Sequence, residues 1–221
     1  MKKIALTLFA AVFIFTLQAQ AQVRGGIRAG FNAATWGGDA VESFTDMLDA
    51  TGVVKTEMNP SFHAGAYLQV PISNAVSIEP GIYYSGKGMR VTQTFGTNSF
   101  IRPQATVTNN SHYIEMPVLM RFHLGPGFQV YAGPQLSYLV ANEVNAEAGI
   151  LGLSYEQNWE VDPGLRKADF GVAGGIGYEF AQGLNLQAGY EWGLSSLDEG
   201  KSNFDAYNRV IKVSVGYTFG L

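Results

Sequence analysis

Ile211-Lys212-Val213-Ser214-Val215-Gly216-Tyr217-Thr218-Phe219, near the end of the chain, alternates apolar with small or polar side chains at every position. Successive side chains on a strand point to opposite faces, so this period of two marks a β-strand with one apolar face. Such a strand can end a soluble sheet. It can equally close a membrane barrel by pairing with the first strand, because lipid cannot satisfy an open sheet edge.

Working backwards, the pattern recurs seven times. Leu184 to Leu194, Phe170 to Phe180, Phe128 to Tyr138, Ile114 to Leu124, Val76 to Tyr84, Phe62 to Val70 and Val23 to Phe31 each carry an apolar and a small or polar face. Short turns follow at Ile72 to Ala75, Gly125 to Gly127 and Gln182-Gly183. Long connections run over Ala33 to Pro60, Lys87 to Ser111, Ala141 to Lys167 and Ser195 to Tyr207, although Val91 to Phe95 and Thr106 to Thr108 keep enough alternation to prolong the strands. In the first connection Asp39 and Glu42 resemble a capping box, and Val41, Phe44 and Leu48 share a helical face, which predicts one short loop helix. Alternating long and short connections describe an all-β fold: an eight-stranded antiparallel up-and-down transmembrane β-barrel with short periplasmic turns and long extracellular loops.

The totals agree. In 221 residues there are 27 glycines, 14% charged residues and a net charge of −4, which leaves no basic footprint for nucleic acid. The absence of cysteine excludes disulfides, thiolate metal sites and cysteine nucleophiles. Lys2 and Lys3 precede an apolar run, Ile4 to Leu17, and Ala19-Gln20-Ala21 supplies small residues for cleavage; residues 1–21 therefore read as a signal peptide and 22–221 as the barrel domain. That run is shorter than the ~20 residues of a spanning helix.

A secreted lipocalin-like barrel would show the same alternation with inside and outside exchanged. Export, aromatic placement and the glycine-rich polar face favour the membrane. On the apolar face Phe31, Phe62, Tyr84, Tyr138, Phe170 and Trp192 fall near the long connections, whereas Phe122, Phe128, Tyr178, Phe180, Tyr217 and Phe219 fall near the short turns. Two aromatic belts suit two lipid–water interfaces. The other face then gathers Arg24, Arg28, Lys87, Arg121 and Lys212 with Glu79, Glu115, Asp169, Glu179 and Glu191 into the lumen, as a charge network in which Glu191 is level with Lys212 and Glu79 with Arg121. If strand n faces strand n+4, the bare face of Gly171, Ala173, Gly175 and Gly177 looks across at His63, Tyr67 and Gln69, and no open pore is expected.

Tyr113-Ile114-Glu115-Met116-Pro117, Ala132-Gly133-Pro134-Gln135, Asp169-Phe170-Gly171 with Gly175-Ile176-Gly177-Tyr178, and Ile78-Glu79-Pro80 with Tyr84-Ser85-Gly86-Lys87-Gly88 resemble the PorT-type outer-membrane β-barrel family of Bacteroidetes over essentially the whole chain from Gln22. The resemblance implies an outer-membrane location in a Gram-negative cell, after signal-peptide-dependent export, in a functionally mixed family of which one branch is linked to secretion. It implies outer-membrane lipids, lipopolysaccharide and the barrel-assembly machinery as partners, with an envelope protein partner left open. One departure is that Phe219 is followed by Gly220 and Leu221, whereas many such barrels end on an aromatic residue.

No catalytic, cofactor or metal site emerges. His63 and His123 point inward and His112 lies at the rim, with spacing that fits no zinc motif. Acidic residues in the first and third connections (Asp39, Glu42, Asp46 and Asp49; Glu143, Glu147, Glu156 and Glu160) read as solvated loop surface. The leading expectation is a non-enzymatic barrel, structural or partner-binding through its loops and possibly secretion-associated. The alternatives are an enzyme acting on lipid A or peptides near His63 at the extracellular side, with a groove open to lipid, and a narrow porin-like solute channel.

Overall fold

The computed structural model describes residues 23–38, 54–94, 104–150, 153–160, 166–198 and 206–220. These contain ten strands: β1 (Arg24–Gly37), β2 (Val54–Glu57), β3 (Asn59–Pro71), β4 (Val76–Thr94), β5 (Gln104–His123), β6 (Phe128–Ile150), β7 (Leu153–Glu160), β8 (Ala168–Glu179), β9 (Leu184–Gly193) and β10 (Tyr207–Thr218). Eight of them form a closed ring in the order β1, β3, β4, β5, β6, β8, β9, β10, each neighbouring pair antiparallel. The closing strand faces two partners: Val213 stands opposite Phe31 of β1, and Val215 opposite Leu186 of β9. Closure satisfies the backbone groups that an open edge would leave to lipid.

The short turns lie where the sequence places them. Gly127 and Gly183 take φ of 92° and 89°, a left-handed conformation in which glycine alone is unstrained. A Cβ on Gly127 would also meet the Glu179 carbonyl at 2.4 Å.

The long connections differ from expectation. β4, β5 and β6 run on well past the ring, and the third connection, read as loop from Ala141 to Lys167, instead continues β6 and adds β7. A transverse row of partners crosses five strands there: Val54, Gln93, Ala105, Ala148 and Tyr155. β2 follows the track of β3, and β7 that of β8, so one side of the wall stands taller than the other. The physical reason is that the signal weakens there. Past the ring the period continues in smaller apolar residues, Val144, Ala146, Ala148 and Ile150 against Glu143, Asn145, Glu147 and Gly149, and the pairing persists with it. A register shift between His112 and Tyr113 marks the change, with Val140 left over between the partners Ala141 and Leu139. The loop helix over Asp39 to Gly52 and the signal segment lie outside the described residues.

Candidate functional site

Side-chain direction in the ring settles which medium each face meets. Ile27, Phe31, Ile82, Val213 and Val215 are 55, 78, 56, 56 and 52% exposed, whereas Arg28, His63, Glu79, Lys87, Glu115 and Arg121 are at most 5% exposed. Polar residues fill the interior and apolar ones cover the outside, the reverse of a soluble barrel. Of the aromatic residues assigned to the belts, Phe31 stands opposite Phe62 across β1 and β3, and Tyr84 and Tyr138 flank Ile114 from either side. At the other end Phe128 stands opposite Tyr178, and Tyr178–Phe180 and Tyr217–Phe219 pack at centroid distances of 4.9 and 5.2 Å. Phe122 faces Val76 and Val130 at that level. Phe170 and Trp192 are exposed on β8 and β9.

The interior charges form two tiers. On the short-turn side Glu79 is held between two guanidinium groups. Arg28 Nη1 donates to its Oε1 at 2.8 Å and Arg121 Nε reaches Oε2 at 2.6 Å. Each arginine also lies over a tyrosine ring, Arg28 over Tyr67 at 4.1 Å and Arg121 over Tyr131 at 4.9 Å. Arg121 Nη1 donates to Gln129, whose amide donates to Glu179, and Glu179 accepts from Arg24 at 2.9 Å. His123 joins through Ser77 Oγ, 3.1 Å from its Nε2.

Nearer the long connections, Lys87 and Lys212 alternate with Glu115 and Glu191 in a closed square. Lys87 Nζ lies 2.8 Å from Glu115 and 3.0 Å from Glu191, Lys212 Nζ lies 2.5 Å from the second oxygen of Glu115, and Lys212 also contacts Glu191. Asp169 stands beside this square and accepts from Asn208 Nδ2 at 2.8 Å. Sharing a carboxylate between two cations offsets part of the cost of removing each charge from water. Above the square, Leu197 and Ala206 are 1 and 0% exposed and pack with Trp36 of β1 and Met89 of β4. The described ends of the β9–β10 connection thus pack against β1 and β4.

His63 lies between the tiers. Asn32 Nδ2 donates to the Gly86 carbonyl at 2.8 Å and to Ser85 Oγ at 3.0 Å, so its Oδ1 faces His63 Nδ1 at 2.7 Å as an acceptor. The proton therefore sits on Nδ1, and Nε2 accepts from Ser214 Oγ at 2.8 Å. This order of hydroxyl, imidazole and amide resembles a nucleophile with its base and orienting group. All three side chains, however, are inside the barrel at 2 to 6% exposure. His112 lies at the rim, 2.7 Å from Tyr84 Oη. No cluster of His, Asp and Glu able to hold a metal ion occurs among the described residues.

His63 of β3 and Ala173 of β8 line one interior cavity. Large rings also lean onto glycines one or two strands away. A Cβ on Gly26 would lie 2.2 Å from the Tyr67 ring, one on Gly30 would lie 2.8 Å from His63, and on Gly175 and Gly189 it would meet the Tyr131 hydroxyl at 2.6 and 2.3 Å.

A family model described as "Outer membrane protein beta-barrel domain" matches residues 18–199. Among solved structures, Ail, the attachment invasion locus protein of Yersinia pestis, is similar at 14% identity and a TM-score of 0.47, over 89% of this chain and 98% of that one. Neisserial surface protein A matches at 13% identity, TM-score 0.46, over 88% and 97%. The N-terminal β-barrel domain of Pseudomonas aeruginosa OprF matches at 11%, TM-score 0.40, over 90% and 100%. No curated protein matches the chain.

Proposed function

We propose, from the premise that this chain belongs to the outer membrane protein beta-barrel domain family, that it is a non-enzymatic barrel which binds a partner through its extracellular side. Its location is the outer membrane. The observation that carries the reading is the tall side of the wall: five paired strands stand past the ring while the lumen below is packed with paired charges. A raised sheet offers a surface, and a filled lumen offers little passage. The aromatic belts set its depth in the bilayer, with lipopolysaccharide around its outer rim. Residues 1–21 direct export and are removed before Gln22. The PorT-type motifs further point to a Bacteroidetes envelope and leave a secretion-associated partner open.

The test is purification of the intact protein from native outer membrane beside a variant whose β6–β7 hairpin is shortened at its tip. A protein that accompanies the intact chain and is lost from the shortened one supports partner binding. Identical co-purification from a folded short variant contradicts it. A second reading, an enzyme acting on lipid A or peptides, draws on the Ser214–His63–Asn32 chain. It requires hydrolysis of such substrates that disappears in both Ser214→Ala and His63→Ala.

A further inference from the structure

A cavity of about 60 Å³ lies inside the barrel between the two charged tiers. Arg28, Tyr83, Tyr131, Gln187, Lys212 and Ser214 are among its lining residues. We propose that it binds one small monovalent anion, of the size class of chloride or formate.

Three observations carry this. The first is an inventory of donors. Arg28 uses Nη1 on Glu79 and on Tyr83 Oη, and Nη2 on Glu79, while its buried Nε–H has no acceptor. Tyr83 Oη accepts that bond from Arg28 at 2.9 Å, which leaves its own proton to donate elsewhere. The Tyr131 hydroxyl, laid over Gly175 and Gly189, belongs to a residue that lines the same cavity. Buried donors without acceptors are uncommon in proteins, and the Arg28 Nε–H beside two tyrosine hydroxyls at one cavity points to a shared ligand.

The second observation is the local charge. Below the cavity Arg28 and Arg121 share one carboxylate, Glu79, which leaves one positive charge in excess. Above it the square of Lys87, Lys212, Glu115 and Glu191 is neutral, as is the pair Arg24–Glu179. The compensating Asp169 is not among the residues lining the cavity and is bonded to Asn208. Glu115 and Glu191 do line the cavity, but both lysines hold each of them. A monovalent anion would satisfy these donors while lying against the cationic lower tier, whose charge is otherwise balanced only by the more distant Asp169.

The third is size. The volume exceeds the ~10–15 Å³ that one water needs, yet is too small for a nucleotide or sugar. Backbone and side chains of the ring fix the lining, so the site is preformed.

The experiment uses the full barrel in detergent, dialysed into sulfate buffer, with chloride added and followed by chlorine-35 NMR line width. Excess broadening that bromide and formate displace is the expected result. Tyr131→Phe keeps the ring over Gly175 and removes one donor; it should weaken chloride binding about tenfold or more, as loss of a hydrogen bond to a charged group implies. Crystals grown in bromide, with data at the bromine edge, should show an anomalous peak within reach of Arg28 Nε and Tyr131 Oη. Broadening that is absent, or unchanged in a folded Tyr131→Phe, overturns the proposal. So does a cavity holding water alone in bromide-grown crystals.

Discussion

Replacing Glu79 by glutamine tests the interior network at its most dependent point. Glu79 is 2% exposed and receives Arg28 at 2.8 and 3.3 Å and Arg121 at 2.6 and 2.9 Å. Glutamine keeps the shape and removes the charge, so two guanidinium groups remain buried beside each other with no carboxylate between them. Breaking a buried ion pair from one side costs about 3–5 kcal/mol, and two cations share this anion, so the loss should lie at or above that range. An exposed pair would cost about 0–1 kcal/mol. Urea unfolding of the barrel in lipid vesicles, followed by tryptophan fluorescence, reads the difference. Replacing the whole triplet by Arg28→Met, Glu79→Leu and Arg121→Met removes the unpaired charges and should recover most of the loss. A loss below about 1 kcal/mol in Glu79→Gln would refute the reasoning, because it would mean that water already screens the triplet.

Three other outcomes follow from the same geometry. Val213→Arg on the outer face of β10 should cost about 2–4 kcal/mol in vesicles if it sits near the bilayer midplane, measured by the same unfolding. Gly30→Ala should block folding, since its Cβ would lie 2.1 Å from the Val213 carbonyl, whereas Gly25→Ala, whose nearest neighbour is a Leu68 methyl at 4.0 Å, should fold normally; the heat-dependent gel shift of a folded barrel distinguishes them. In planar bilayers the purified protein should give no stepwise conductance, and regular single-channel steps would contradict a lumen filled by its own charges.

Much of the barrel is legible in the chain because the membrane imposes two media on every strand. Val213, Val215 and Tyr217 alternate with Ser214 and Gly216 for that reason, and turns such as Gly125-Pro126-Gly127 stand out between the runs. The upper strands were not legible as far as they extend. Val144, Ala146, Ala148 and Ile150 do alternate with Glu143, Asn145, Glu147 and Gly149, but with alanine at two of the four apolar positions the period is weak, and the pairing with β5 and β7 is what fixes the segment as a strand. Within the lumen, counting levels brings Glu79 to Arg121 and Glu191 to Lys212, and these pairs are in contact. Counting cannot show that Glu79 also takes Arg28, or that Lys87 completes the square, because sharing depends on how far long side chains lean along the barrel. The Ser214–His63–Asn32 chain is likewise invisible in spacing: its members come from three strands that meet only on closure. Alternation of Arg28 and Asn32 with Gly26 and Gly30 was the available signal, since a glycine beside a large inward residue marks where a neighbour's ring will rest.

The most direct test of the central claim exploits the absence of cysteine from the chain. Single cysteines placed in turn from Val210 to Thr218, each carrying a nitroxide in lipid vesicles, report collision with oxygen, which concentrates in the bilayer. Maxima at positions 211, 213, 215 and 217, with minima between, are predicted for a closing strand whose apolar face meets lipid. A flat profile, or maxima at the alternate positions, would contradict the account.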